Sequence, residues 1–550
     1  MTTDIERHSS LDDKPKIEHD DPVDYGEHAL VNIAVERIAE APDFADGAKE
    51  ANDREHALSF RDGCRHYPGS LFWGIGMSFT IVMEGYITSL SRNFITFPAF
   101  ARKYGVWQEA QQRWVINAKW QVAMGNMGMI GTLIGLVIMG FVADKFGHRY
   151  VMMVGLVLIV AFNFMTFFAP TVKILATAGL LGGIPNGLFG ILGSVYASEV
   201  APLPIRGFLT SFVNISWIIG QFAASGLMTR MVKIDTVWSF RIPMAITWAW
   251  PVPLFIMAIF APNSPWWCVR HGDYAGAERS LRRLASSKYV TAADTRRSLA
   301  LLVRTNELEK SMKTKASVWE CFRGTNLRRT EIASMTLATQ AFSGQTFAYG
   351  ATYFFVMAGL STKDAYNMGF VSTGAAFVAT CISWVLNGWV GRRPLIIYGF
   401  SVMTGILLVI GGLALVDKQS HIWAQAGLCV VWLFVYSMTI GPQSFGLAAE
   451  VSATRLRSQT LAIARFFYVL MSFLCNTVEP YLINPTALNL KGKTAFVWFG
   501  TSFLTVIWCI FRMPETKGIT YTELDLLFEH RVAAWRFKST KVDVTEEIEE

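Results

Sequence analysis

A single carboxylate interrupts an apolar segment near the start of the chain. Glu84 lies in SLFWGIGMSFTIVMEGYITSL, residues 70 to 90, which contains no other charged side chain. An ionisable group at membrane depth is costly and usually faces a cavity or a partner of opposite charge. Since a carboxylate can take up and release a proton, Glu84 is a candidate for proton transfer.

Arg465 is the candidate counter-ion for this carboxylate. It lies in LAIARFFYVL, inside another apolar segment rather than at the end of one. We therefore predict that Glu84 and Arg465 together serve proton coupling. In the alternative interpretation the two residues are permanently paired, and Glu84 is then structural.

The composition of the chain indicates which kind of secondary structure positions Glu84 and Arg465. The chain is 52% hydrophobic and 17% charged, with 39 Phe and 18 Trp, a balance too apolar for an ordinary soluble globule. Apolar blocks of about 20 residues recur, long enough to cross a hydrocarbon core as helices. Twelve are predicted, at 70–91, 118–142, 150–168, 171–197, 208–229, 240–261, 332–356, 366–390, 394–416, 423–448, 459–483 and 494–512.

Charge outside these blocks suggests five regions and an orientation. We expect an acidic, disordered cytoplasmic tail (1–66), an N-terminal six-helix bundle (67–262), a cytoplasmic linker with short helices (263–330), a C-terminal six-helix bundle (331–513) and a cytoplasmic tail (514–550). Lys and Arg collect in the linker and in the loops at 144–149, 391–393 and 454–457, all on one side of the twelve helices. Positive loops mark the cytoplasmic side, so both termini are predicted there.

The two halves repeat one plan. GFVADKFGHRYVMMVG after the second block is echoed by NGWVGRRPLIIYG after the eighth, and SEVAPLPIRGFLTSFVNISW by AEVSATRLRSQTLAIARFFY. Both echoes are about 250 residues apart, which indicates an internal duplication. Two similar bundles flanking a central cavity are what alternating access requires.

These motifs carry a family resemblance. GFVADKFGHR resembles the loop signature of the major facilitator superfamily, and SEVAP, NSPWW, GRR, AEV, RLRS and PETKG are similar to the sugar porter family. From about residue 68 to 530, MEGY, FPAFARKYG and ALNLKGKTAFVWFG resemble fungal maltose and α-glucoside permeases. The resemblance implies an all-α membrane protein of twelve transmembrane helices in two pseudo-symmetric six-helix bundles, carrying an α-glucoside across the plasma membrane.

Conformational gate residues are predicted at the cytoplasmic helix ends. Glycines allow tight turns, and carboxylate and guanidinium pairs could close the inner mouth and open it when the bundles rock. The candidates are Gly140, Asp144, Gly147, Arg149, Glu199, Arg206, Arg392, Glu450 and Arg457. Alternatively, the basic loops serve only to anchor the protein by their positive charge.

The resemblance also implies a substrate site. Sugars need amide donors and acceptors and aromatic faces, and the positions that match the family are Asn214, Gln340, Phe445, Gln221 and Asn476. Relatives often have Gln where this chain has the shorter Asn214. Alternatively, these polar residues only form hydrogen bonds between helices.

Two expected acidic residues are missing. Proton symporters of the maltose type usually read EGYD, where this chain has Ile87, and often place Glu in the second helix, where it has Thr132. Any coupling must then depend largely on Glu84. Without coupling, the protein would be a facilitator that only equilibrates its substrate.

Other function classes fit the sequence less well. It contains no phosphate-binding Gly-rich Lys motif, nucleophile elbow or metal-ligand cluster, which argues against an enzyme and predicts no cofactor. The expected partners are a sugar or glycoside, protons and the lipid bilayer, and no nucleic acid. A sugar sensor and a carrier of a non-sugar metabolite remain alternatives, because the fold alone does not decide the function.

Overall fold

The computed structural model describes residues 50–540, apart from 52–53, 55–56, 110–111, 314–317, 417, 454–455 and 520. Most of the predicted acidic tail, residues 1–49, lies outside this part. At a few helical positions, including Gly140 and Asn214, the backbone is described but the side-chain environment is not.

In the described residues the long helices form twelve units, here called spans 1 to 12. Spans 1 to 6 are Pro68–Asn93, Ala118–Phe146, His148–Phe167, Val172–Val200, Leu203–Met231, and Trp238–Ile246 with Pro251–Phe260. Span 7 combines Gly324–Gln340, Ala341–Gln345, Thr346–Tyr349 and Ala351–Ala358. Spans 8 to 12 are Thr362–Trp389, Arg392–Leu413, Gln419–Met438 with Ile440–Val451, Arg457–Ile483 and Thr494–Arg512.

Ten of these units are apolar and long enough to cross a membrane, within the residues described. Spans 5 and 7 are not among these ten. Span 7 is also irregular, because Gly344 has φ +85° inside a π-helical turn. Irregular backbone at membrane depth is tolerated where it is buried in protein or lines a cavity.

The helix packing repeats in the two halves. Span 1 packs on span 5 and span 2 on span 4, and span 7 packs on span 11 and span 8 on span 10 in the same way. The halves meet mainly through span 2 against span 11 and span 5 against span 8. This arrangement is the predicted pair of pseudo-symmetric six-helix bundles.

Short elements connect the spans. Phe60–His66 precedes span 1, and a 3-10 turn at Phe94–Thr96, the helix Pro98–Tyr104 and an antiparallel pair, Val106–Gln108 with Arg113–Val115, link spans 1 and 2. The linker between the halves contains three helices and a 3-10 turn: Pro265–Arg270, Tyr274–Leu284, Ala292–Lys313 and Val318–Phe322. A 3-10 turn, Lys491–Lys493, precedes span 12. The helix Tyr521–Glu529 and the 3-10 turn Ala534–Arg536 follow span 12.

Candidate functional site

A cavity of about 410 Å³ lies between the two halves. The first half contributes residues of spans 1 to 6, and the second half contributes spans 7 and 11. Its polar and charged wall residues include Glu84, Arg92, Gln121, Thr132, Asn163, Asn186, Tyr353, Asn476 and Glu479. The cavity therefore combines apolar surface with a few convergent polar groups, as ligand sites do.

Glu84 is half-buried in this wall and faces span 4. A Cβ atom built on Gly190 would lie 3.2 Å from Oε2 of Glu84. No Lys, Arg or His nitrogen among the described residues lies within 4 Å of its carboxylate. The structure therefore brings Glu84 to the cavity but does not join it to Arg465.

Arg465 instead lies among aromatic rings. Its guanidinium carbon is 5.2 Å from the ring centre of Phe445 and 5.5 Å from that of Tyr468. A guanidinium over a ring face is stabilised by the cation–π interaction. Phe445, the predicted cavity aromatic, is 44% exposed and contacts Arg465 instead of lining the cavity described here.

The two positions without the expected carboxylates both face the cavity. Ile87 and Thr132 line it together with Glu84. The Thr132 hydroxyl donates to the carbonyl of Gly128 at 3.0 Å, within its own helix. Neither side chain can carry a proton at physiological pH.

The predicted substrate residues are dispersed. Asn476 lines the cavity, and its amide contacts Sδ of Met129 at 3.5 Å. Gln221 lines a smaller polar pocket of about 40 Å³ that shares Arg92 with the cavity. Gln340 is buried behind the wall and accepts a hydrogen bond of 2.8 Å from Tyr436, while its Nε2 has no partner in the described part. The side chain of Asn214 lies outside the described residues.

Sequence reasoning missed several wall residues. The break in span 7 turns Thr346, Gly350 and Tyr353 toward the cavity, and Gly344 and Gly350 were the available signals of that break. Arg92 and Glu479 are charged residues in apolar spans. Ionisable side chains at membrane depth are energetically unfavourable, and this argument, which identified Glu84, could have identified both.

Hydrogen bonds join the two halves at the end of the bundles opposite the basic loops. Arg113 donates to the carbonyl of Val356 at 2.9 Å, and Gln121 donates to the Tyr353 hydroxyl at 3.1 Å. Further contacts run from Tyr366 to the Asn93 carbonyl at 2.5 Å and from Asn484 to the Ile116 carbonyl at 2.8 Å. These contacts seal that end of the cavity, here called the sealed end.

The opposite end, here called the basic end, carries the predicted gate residues of the first half. Glu199 accepts a hydrogen bond of 2.8 Å from Arg270 in the linker and lies 3.6 Å from His148. Arg206, its predicted partner, donates to the carbonyl of Ala201 at 3.2 Å. The Glu199 ion pair therefore ties span 4 to the linker.

The second half repeats this arrangement with different partners. Glu450 pairs with Arg392 at 3.2 Å and accepts from the Thr516 hydroxyl at 2.5 Å. Glu515 of the PETKG motif accepts from the backbone N–H of Arg392 at 3.0 Å. Arg457, the remaining gate candidate of this half, begins span 11.

The loop between spans 2 and 3 packs on the NSPWW motif. Gly147 has φ +80°, and the Trp267 indole donates to the carbonyl of Asp144 at 2.9 Å. Arg149 donates to the carbonyl of Ile259 at 2.5 Å. Gly140 lies within span 2. The described residues contain no cluster of three or more His, Cys, Asp or Glu able to hold a metal ion.

Comparisons with known proteins agree with this architecture. Residues 73–528 match the family described as "Sugar (and other) transporter". A general α-glucoside permease of Saccharomyces cerevisiae is 34% identical over 92% of this chain and 83% of that protein. A maltose permease of the same yeast is 32% identical over 95% of this chain and 86% of that protein.

Solved structures confirm the predicted fold class. The xylose transporter of E. coli in its inward open conformation superposes with a TM-score of 0.66 at 17% identity, covering 83% of this chain and 99% of that one. A proton:xylose symporter of the major facilitator superfamily gives a TM-score of 0.64 at 19% identity, covering 84% of this chain and 100% of that one. At such low identity the likeness supports the fold alone.

Proposed function

The chain belongs to the sugar transporter family, and from that premise we propose that it carries an α-glucoside such as maltose by alternating access, with proton symport. Its yeast relatives are named as α-glucoside and maltose permeases and align over most of both chains. We place it in the plasma membrane, with both termini cytoplasmic.

The observation that carries this proposal is a cavity between two similar bundles, closed at one end, with Glu84 in its wall. Four hydrogen bonds described above join the halves at the sealed end. If the basic end faces the cytoplasm, as positive-inside charge predicts, the sealed end faces outward. The protein is then described in an inward-facing state.

Rocking of the halves supplies the transport step. The ion pairs of Glu199 with Arg270 and of Glu450 with Arg392 lie at the basic end, each within its own half or between that half and the linker. Each bundle can therefore move as a unit, while contacts between bundles break at one end and form at the other.

Glu84 provides the proposed coupling. A carboxylate in the cavity that is not held in a direct ion pair can bind a proton on one side and release it on the other. Ile87 and Thr132 have no carboxyl group, so Glu84 is the one carboxylate that the first half contributes to the described cavity wall. Asn476 and the amides of Asn163 and Asn186 provide hydrogen-bonding groups for sugar hydroxyls.

The test is uptake of labelled maltose and other glucosides in cells that lack their own carriers, with and without a protonophore. Cells without the gene provide the background. We expect accumulation above the external concentration that collapses when the protonophore is added. Uptake that only equilibrates would contradict proton coupling. If no glucoside enters, the sugar proposal is wrong, and a carrier of a non-sugar metabolite becomes the better interpretation.

A further inference from the structure

A second carboxylate faces the cavity from the other half of the protein. Glu479 on span 11 lies in the cavity wall near Asn476, whereas Glu84 approaches from span 1. Glu479 is only 7% exposed, so it is deeply buried. An ionisable residue at this depth is a functional candidate by default.

The hydrogen bonds of Glu479 are incomplete. Its Oε2 accepts a hydrogen bond of 2.5 Å from Nε1 of Trp498 on span 12, while Oε1 has no partner in the described part. No Lys, Arg or His nitrogen among the described residues lies within 4 Å of this carboxylate. Burying a charge without a partner of opposite charge is unfavourable. A proton would remove that cost.

The side chains around Glu479 favour protonation of its carboxylate over an ion pair with a fixed cation. The titratable or charged side chains that share the cavity wall are Glu84 and Arg92 from span 1 and Tyr353 from span 7. Span 2 contributes no titratable group to the described wall, and the Lys491–Lys493 turn does not line it. On its own helix, Cys475 lies one turn away.

We propose that Glu479 is a second proton-carrying residue, so that two protons accompany each sugar. In the outward-facing state one proton binds the carboxylate of Glu84 and one binds that of Glu479. The inward-facing structure, with Glu479 still buried, precedes release: when water from the cytoplasm reaches the two carboxylates, both O–H bonds break, and the protons and the sugar leave to the cytoplasm. The cycle therefore moves two positive charges, and the unprotonated carrier returns.

Trp498 positions this carboxylate. Spans 11 and 12 belong to the same half, so the indole hydrogen bond is kept when the halves rock against each other. Glu84 lies in the other half, so the two proton sites move relative to each other during the cycle. The inference rests on the proposed sugar and proton symport and adds its stoichiometry.

The decisive measurement is the accumulation limit for labelled maltose in liposomes that contain the purified protein. The membrane potential is held at zero. At about one pH unit of gradient each coupled proton contributes about tenfold, so two protons allow about 100-fold accumulation and one allows about tenfold. We expect about 100-fold for the unmodified protein and about tenfold for Glu479→Gln.

Two further variants distinguish a role of Glu479 in proton coupling from a purely structural role. Glu479→Asp keeps a carboxyl group, and Trp498→Phe removes only the indole donor; both should keep the two-proton limit even if transport is slower. Exchange of labelled for unlabelled maltose at equal pH should persist in Glu479→Gln, because exchange needs no net proton movement.

Three results would overturn the inference. They are a tenfold limit in the unmodified protein, an unchanged limit in Glu479→Gln, and loss of exchange together with accumulation in Glu479→Gln, which would mark a structural role. The first two leave the proposed proton symport intact. If the unmodified protein transports maltose but accumulates none, the proposed coupling itself fails together with this inference.

Discussion

Arg270 donates from Nη2 to Oε1 of Glu199 at 2.8 Å, so the first linker helix is tied to the end of span 4. The corresponding carboxylate of the second half, Glu450, pairs with Arg392 at 3.2 Å. Neither pair crosses between the bundles. The repeated motifs therefore hold each half and the linker together at the basic end, where the halves must separate.

Glu199→Gln should lower the stability of the solubilised protein. Removing one partner of a partly buried, charge-assisted hydrogen bond costs about 1.5–3 kcal/mol. The control is Glu278→Gln, which breaks ion pairs with the exposed Arg282 and Arg296 and should cost at most about 1 kcal/mol. Thermal unfolding compares the melting temperatures of the two variants. Equal decreases would show that the Glu199 ion pair stabilises the protein no more than the exposed pairs of Glu278.

Glu84→Gln should spare exchange, because exchange needs no net proton movement. Because the amide cannot release a proton, the variant should abolish concentrative uptake if Glu84 is the single proton carrier, and lower the accumulation limit about tenfold if Glu479 carries a second proton. Arg465→Ala should damage both activities, since it removes the cation packed between Phe445 and Tyr468. Uptake under a pH gradient and exchange at equal pH are measured in the same vesicles. Loss of all transport and poor folding in Glu84→Gln would count against its proton role.

Gly147→Ala should destabilise the protein more than Gly272→Ala. Both glycines have positive φ, +80° and +75°, but Gly147 also has ψ 156°, a region that is essentially restricted to Gly and costs other residues about 1–3 kcal/mol. At Gly147 the new Cβ would also lie 3.1 Å from the Trp267 ring, whereas at Gly272 nothing lies within 4 Å. The difference in melting temperature reports this backbone strain together with the Trp267 contact, and identical values would contradict both.

Tyr366→Phe should loosen the sealed end. The hydroxyl donates to the carbonyl of Asn93 at 2.5 Å and also contacts Thr96. Losing it removes about 1 kcal/mol from the closed state, roughly a fivefold shift in population. An impermeant thiol reagent applied from outside should label Gly125→Cys, which faces the cavity, faster in the Tyr366→Phe background. Unchanged labelling would contradict the seal, and Tyr150→Phe serves as the exposed control.

Cys268 in the linker should resist thiol reagents at pH 8. Burial, with a smaller contribution from the Asp273 charge, raises the pKa of its thiol to about 12. A raised thiol pKa favours the protonated form, and only the thiolate reacts. Labelling should appear only on denaturation, or as the pH approaches that value. The half-buried Cys64 is the comparison, and rapid native labelling of Cys268 would contradict its burial.

Much of the fold could be predicted because its determinants are local. Predicted block 118–142 became Ala118–Phe146, and 494–512 became Thr494–Arg512, since about 20 apolar residues in a row leave a helix as the stable way to cross a bilayer. The break in span 7 was missed because a single Gly344 at φ +85° changes neither length nor apolar character.

The cavity was predictable only in part. Glu84 could be identified from its own cost of burial, and Asn476 from its place in the family pattern, and both line the cavity. Gln340 fits that pattern equally well but lies behind the wall, bonded to Tyr436. The family pattern identifies the helix and the position along it. The orientation of that helix about its own axis decides which of its side chains faces the cavity.

Sequence by itself therefore determined the spans, their repetition in two halves and the presence of Glu84 within an apolar helix, because these depend on residues close together in the chain. Tertiary structure alone decided the partners. Arg465 packs on Phe445 instead of pairing with Glu84, and Glu479 enters the cavity wall beside Asn476. Charges on distant helices meet only where packing between the bundles brings them within a few ångströms, and apolar patterning along each helix does not specify that packing.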